Sequence, residues 1–168
     1  MLNETAAEYL DAIGQILTEG NGKSYTVEAA EYGPVLVAEL PSPMIEDGKA
    51  GYCAVLKQAD EGFVLIELRL TLLFGVPQEL WEDILLISEE INRYLTAGSF
   101  RLEKESGTLY VAQGVLIDGS AGKDAAAFNI LKSFSVMENA AVNSGQYFIR
   151  LVEGRSSAEE LLSELREL

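Results

Sequence analysis

The residues that could carry covalent or metal chemistry are few in this chain. The sequence contains no histidine, which removes the usual catalytic triads, zinc sites and imidazole proton shuttles. Its single cysteine, Cys53, lies in a segment with the pattern of a strand, where a cysteine is more often a small core residue than a nucleophile. We therefore expect no catalytic residue, no metal site and no cofactor, and we interpret the chain as a non-enzyme.

Residues 114–124, GVLIDGSAGKD, have part of the pattern of a phosphate-binding loop. They run from a strand through glycines and a lysine toward a helix, whose N-terminal amides favour anions. A P-loop needs glycine where this chain has Ile117, and serine or threonine where it has Asp124. A carboxylate there would repel phosphate, so we interpret the stretch as a glycine turn that leads into a helix with a favourable acid in its first turn.

Paired carboxylates are the chemistry that stays open. The chain has 27 aspartates and glutamates against 12 lysines and arginines, a net charge of -15. Acids on helix faces usually contact water, and no spacing here selects a catalytic pair. The charge disfavours nucleic acid and anionic membranes as partners and favours a basic or amphipathic polypeptide, although it also serves solubility alone.

The length of 168 residues predicts a single domain, residues 1–168. No apolar run approaches the ~18 residues that span a bilayer, and the first residues lack the pattern of a signal peptide. One cysteine cannot form an internal disulfide, which fits a reducing compartment. We therefore expect a cytoplasmic protein.

The first half of the chain predicts a helix and two hairpins. Apolar residues recur at helical spacing from about residue 4 to 18, and residues 25–40 have the alternation of a β-hairpin. A second hairpin ends in a long strand, residues 63–74. Its even-numbered residues, Val64 to Phe74, are all apolar and its odd-numbered residues are mixed, as expected for a sheet that helices cover on one face.

The second half begins with a helix that follows Pro77. It carries a broad apolar stripe from Leu80 to Leu95, and Gly98 is its predicted C-terminal cap. Residues 99–117 then predict a third hairpin, with a turn at Ser106-Gly107.

The last part of the chain predicts two helices. The first starts near Asp124 and is expected to be interrupted at Gly145, with Gly154 at its end. The second follows a capping box, Ser157–Glu160. The whole order predicts an α+β fold, an antiparallel sheet with helices packed mainly on one face.

Three stretches carry a resemblance to a known family. They are the helix NETAAEYLDAIGQIL, the strand FVLIELRLTLLFGVP with the helix QELWEDILLISEEINRYLTAG, and the hairpin SFRLEKESGTLYVAQGVLI with the helix behind it. Their order resembles the type III secretion chaperone-like group, which includes the CesT-type chaperones and the YbjN family. The 25–40 hairpin and the closing helix make this chain long for a compact chaperone. The resemblance implies a homodimer that holds an extended segment of a client protein.

The family offers no invariant binding residues to transfer, so the candidates come from apolar residues on predicted faces. The candidate partner-binding residues are Ile13, Ile16, Leu17, Phe63, Leu65 and Leu73. The candidate dimer-interface residues, on a helix with more apolar positions than one stripe needs, are Trp81 and Leu85. Each of these side chains could instead be core.

The sequence thus predicts a non-catalytic protein-binding module that resembles a secretion chaperone. Two alternatives stay open: a small acidic inhibitor or immunity-type protein that masks a folded basic partner, and an enzyme that uses paired carboxylates. A chaperone would hold its client extended, whereas an inhibitor would meet a folded surface.

Overall fold

The structure is a computed structural model, and it describes residues 8, 10–15, 18, 25–30, 33–42, 44, 48–60, 62–118, 120 and 123–167. Residues 10–15 are helical and are called the N-terminal helical segment. The strands are β1 (Tyr25–Ala30), β2 (Gly33–Pro41), β3 (Lys49–Asp60), β4 (Phe63–Leu73), β5 (Ser99–Glu103) and β6 (Thr108–Asp118). The helices are α1 (Trp81–Asn92), with a 3₁₀ turn before it (Gln78–Leu80), α2 (Lys123–Val152) and α3 (Ala158–Arg166).

The strands form one antiparallel sheet in the order β1-β2-β3-β4-β6-β5. The three predicted hairpins are confirmed as β1–β2, β3–β4 and β5–β6, and the α+β class is confirmed with them. The tight β5–β6 turn depends on Gly107, whose φ of 65° is a conformation that glycine adopts without a steric penalty.

One face of the sheet, called the covered face, is buried under the helices. Directly paired residues share a face, and one row of them crosses all six strands: Tyr25, Ala38, Tyr52, Leu70, Val111 and Phe100. The rings of Tyr52 and Phe100 lie 5.4 and 5.0 Å from those of Phe134 and Phe148 in α2. Covered-face side chains and the buried residues of the helices belong to the same hydrophobic cluster.

A buried hydrogen bond fastens the centre of this face to α2. The hydroxyl of Tyr52, whose residue is 2% exposed, donates to Oε1 of Glu138 at 2.5 Å. Burial, reinforced by the Glu138 carboxylate, raises the pKa of Tyr52. The tyrosine therefore stays a neutral donor at any ordinary pH.

A β-bulge near the end of β4 changes which side chains face the core. The β4–β6 pairing shifts between Thr71 and Leu73, so that Leu73 pairs with the buried Leu109 and packs against the core. Phe74, which simple alternation assigned to the apolar face, is instead 71% exposed. It lies near Gly51 on the opposite side of the sheet. The extra residue of a bulge reverses the in–out alternation beyond it.

Two predicted helix boundaries are wrong. Helix α2 runs without a break through Gly145, which is buried and lies against Met44, with no room for a side chain. Gly98 is not the cap of α1, because that helix ends at Asn92 and Gly98 instead directly precedes β5, with a φ of 76°.

The predicted end of α2 and start of α3 are confirmed. Gly154 has a φ of 67°, and the amides of Gly154 and Arg155 bond to the carbonyls of Leu151 and Arg150 at 3.0 and 2.8 Å, which is a Schellman motif. Ser157 and Glu160 form both bonds of the capping box.

Candidate protein-binding surface

The second face of the sheet, called the open face, carries no helix within the described residues. Its central rows are Thr26–Val37–Cys53–Arg69–Ala112–Ser99 and Val35–Val55–Glu67–Gly114. The first row crosses six strands, whereas the second stops at β6. All six strands therefore offer side chains to one flat surface.

The open face exposes apolar side chains. Val37 is 39% exposed, Leu116 64% and Phe74 71%, and Leu116 pairs across the strands with the partly buried Leu65. All three side chains lie on this face, with Leu116 beside the start of β4, Phe74 just beyond its end and Val37 on β2, so they are separate apolar contact points.

Charge on the open face concentrates around one carboxylate. Glu67, whose side chain is 14% exposed, lies 2.7 Å from Arg69 and 3.4 Å from both Lys57 and Arg101. The guanidinium of Arg69 also stacks 5.1 Å above the ring of Tyr110. Three cations around one anion make a local excess of positive charge in a chain whose net charge is -15.

The pKa values in this cluster follow from the same contacts. Burial alone would raise the pKa of Glu67, but the hydrogen bond and charge of Arg69, with Lys57, hold it below its usual range. For Arg69, burial alone would lower the pKa, and Glu67 outweighs that and raises it. Glu67 and Arg69 therefore stay charged at neutral pH and keep the surface polar at its centre.

The outer edge of β5 is already occupied. The side chain of Asn92 in α1 accepts from the amide of Phe100 at 2.7 Å and donates to the carbonyl of Phe100 at 3.0 Å. An asparagine that bonds both backbone groups of a residue takes the place of a neighbouring strand. The edge of β5 at Phe100 therefore cannot accept a partner strand while Asn92 stays in place.

The predicted partner-binding residues do not form one patch. Ile13 is 2% exposed and belongs to the core, and Leu73 packs against the core because of the bulge. Phe63 and Leu65 are partly buried on the open face, where Phe63 pairs with Asp118. Ile16 and Leu17 lie outside the described residues. The partner-binding role of these residues stays a prediction.

The predicted dimer residues lie on or at the start of α1. Trp81 is half-buried, and its indole N–H donates to the carbonyl of Val76 at 2.9 Å. Leu85 is 36% exposed and has two more exposed apolar residues near it in the chain, Leu86 at 50% and Tyr94 at 59%.

Sequence reasoning missed the open-face residues Val37 and Leu116, because alternation shows two faces of a strand and does not show which one lacks a covering layer.

Within the described part of the chain, no group of three or more cysteine and carboxylate residues could hold a metal ion. No helix in that part is long and apolar enough to cross a membrane. The arrangement on the open face is suited to contact with another molecule through apolar side chains and charges.

The comparisons with known proteins give a likeness in fold. No protein-family model and no curated protein matches the chain. The fold is similar to that of YbjN from E. coli in its crystal structure, with 12% sequence identity and a TM-score of 0.45, and the match covers 86% of this chain and 91% of that one. The YbjN part of the sequence resemblance agrees with this likeness of fold, whereas the likeness to CesT-type chaperones stays a prediction. At 12% sequence identity this likeness concerns the fold alone.

Proposed function

We propose that this chain is a non-catalytic protein-binding module, which holds an extended segment of a partner protein on the open face of its sheet. The observation that carries the proposal is the one-sided packing. In the described residues every helix lies on the covered face, and the other face presents Val37, Leu116 and Phe74 to solvent. With this role we propose a cytoplasmic location and a protein or peptide client, and the role needs no cofactor.

The shape of the surface supports an extended client. The open face has no covering helix within the described residues, and the groove that adjoins it at the start of β5 is shallow, with a volume of about 350 Å³. Extended segments place alternate side chains on such a surface and keep their backbone available for hydrogen bonds. Ordering the segment costs conformational entropy, so several apolar contacts are needed to hold it.

The charges specify the chemistry of the client segment. Lys57, Arg69 and Arg101 surround a single carboxylate, that of Glu67. A segment with apolar residues and at least one carboxylate complements this surface better than a basic segment does. A basic partner would have to bind the acid-rich helix surfaces instead, for example at the exposed Glu159 and Glu160 of α3.

Binding to a model client tests the proposal. Reduced, carboxymethylated α-lactalbumin is unfolded and acidic, and native α-lactalbumin is its folded counterpart. We expect the unfolded form to bind, measured by fluorescence anisotropy of the labelled client, and the native form not to bind. Binding of the native form alone would favour the inhibitor alternative over the chaperone-like role.

Two matched variants locate the binding surface. Val37→Ser removes an exposed apolar side chain from the open face, and Leu86→Ser removes one from α1. We expect Val37→Ser to weaken binding of the unfolded client about fivefold or more and Leu86→Ser to leave it unchanged. Equal losses in both variants would contradict the assignment to the open face.

A further inference from the structure

The edge of β6 is only half covered. Strand β5 pairs with residues 108–112 of β6, and no strand within the described residues pairs with 113–118 on that side. Strand β6 is therefore an inner strand along its first half and an edge strand along its second half. The boundary forms a step at the start of β5.

The pairing of β5 fixes which backbone groups point to the vacant side. Both backbone groups of Phe100 point away from β6, to Asn92. Its opposite residue, Val111, therefore belongs to a non-hydrogen-bonded pair, and the neighbouring residues Tyr110 and Ala112 bond to β5. The same alternation, continued along β6 without a bulge, directs the N–H and C=O groups of Gly114, Leu116 and Asp118 to the vacant side.

Apart from Asp118 at its end, this half-edge lacks the usual protection of an edge strand within the described residues. Edge strands normally carry prolines, inward charges or bulges, or lie under another element. Residues Gly114 to Ile117 read GVLI, with no charge and no proline, and Leu116 is 64% exposed. A regular apolar strand edge of this kind is a template for pairing with another strand.

We propose that a second copy of this chain pairs with residues 114–118 through the same residues, antiparallel, with Leu116 on the two-fold axis. The positions of the outward-pointing residues, 114, 116 and 118, are evenly spaced about Leu116. In this register Gly114 faces Asp118 of the second copy and Leu116 faces Leu116, so that each hydrogen-bonded pair joins two outward-pointing residues. A single surface that is complementary to itself is what a two-fold dimer requires.

The surroundings of the half-edge fit this occupant. The groove at the step is lined by Gly98, Ser99, Arg101 and Gly114, and Gly114 has no side chain to obstruct Asp118 of the second copy. The side chain of Arg101 is 52% exposed, and its Nε donates to Ser99 Oγ, which brings the guanidinium toward the step. The positive charge of Arg101 therefore lies on the side from which that aspartate approaches.

This inference does not depend on the proposed function, because self-association and client binding are measured separately. It also differs from the dimer predicted from the sequence, which uses Trp81 and Leu85. A strand from a different protein could occupy the same edge, but it would not require the symmetry about Leu116.

Sedimentation of the full chain and two matched variants tests the proposal. Leu116→Lys places two like charges opposite each other at the axis, whereas Leu85→Lys places a charge on α1. We expect the wild type to dimerise, Leu116→Lys to raise the dimer dissociation constant at least about tenfold, and Leu85→Lys to leave it unchanged. A monomeric wild type, or a dimer that Leu85→Lys weakens and Leu116→Lys does not, would overturn the proposal.

Cross-linking gives a second readout that does not depend on stability. In a Cys53→Ala background, Leu116→Cys places two thiols at the axis of the expected dimer, within the range of a disulfide. Val37→Cys is exposed on the open face but is remote from the axis, and it serves as the control. We expect mild oxidation to link Leu116→Cys into dimers and not Val37→Cys. Failure of Leu116→Cys to cross-link, or equal cross-linking of both variants, would overturn the proposal.

Discussion

At the scale of single residues, two glycines show how the surroundings of a residue set its role. Gly107 and Gly154 have nearly the same backbone conformation, with φ of 65° and 67°. A side chain at Gly154 would meet nothing within 4 Å, whereas a Cβ at Gly107 would lie 2.8 Å from the carbonyl oxygen of Val76. The amide of Val76 also donates to the carbonyl of Gly107 at 2.8 Å. Gly107 thus joins the β5–β6 turn to the segment before α1.

This contrast predicts different costs for the same substitution. Gly154→Ala should destabilise the fold by about 1–2 kcal/mol, the cost of a left-handed conformation in a residue with a side chain. Gly107→Ala should cost a further ~1–3 kcal/mol, because its methyl group overlaps a backbone atom that cannot rotate away. Chemical denaturation of both variants measures the difference. Equal losses would mean that Val76 moves without a penalty.

At the scale of elements, α1 and β5 form one unit through Asn92. This side chain satisfies both backbone groups of Phe100, and β5 has only five residues. The covered edge of β5 and the exposed edge of β6 beyond it divide one side of the sheet into a protected part and an accessible part. The position of α1 therefore determines which part of the edge can accept another strand.

Substitutions of Asn92 test this protection. Asn92→Ala should cost about 1–3 kcal/mol, because the Phe100 amide loses its acceptor in a partly buried place. That amide should then exchange its hydrogen much faster, as followed by NMR. Asn92→Asp keeps an acceptor oxygen and should retain most of the protection. Unchanged exchange at Phe100 in Asn92→Ala would contradict the role of Asn92.

At the scale of the whole molecule, charge and contact surfaces are separated. The net charge of -15 opposes the approach of two copies and favours solubility. The acids lie largely outside the centre of the open face, where Lys57, Arg69 and Arg101 surround Glu67. The same separation keeps the apolar strand edge of β6 available in a highly charged protein.

Salt should therefore strengthen self-association or leave it unchanged. Raising the ionic strength from about 0.01 to 0.15 M shortens the Debye length from about 30 to 8 Å, which screens the repulsion between two acidic copies. Sedimentation at both ionic strengths measures the effect. A dimer that salt dissociates would show that ion pairs, rather than strand pairing and apolar contact, hold the copies together.

Local patterns in the sequence determined much of the fold. The hairpins, the capping box at Ser157–Glu160 and the Schellman end at Gly154 were predictable, because alternation, caps and turns depend on residues close together in the chain. The α+β class followed from their order. The broad class of partner and the candidate surfaces remained predictions.

Only the tertiary structure decided where this molecule can be approached. The bulge that turns Phe74 outward, the side chain of Asn92 on β5 and the step where β5 ends beside β6 all join residues that are distant in sequence or belong to different strands. The uncovered face with Val37 and Leu116 depends on where all the helices pack. A sequence determines which side chains are apolar, but the cost of leaving them in water depends on the layer that lies over them, and that layer exists only once the chain has folded.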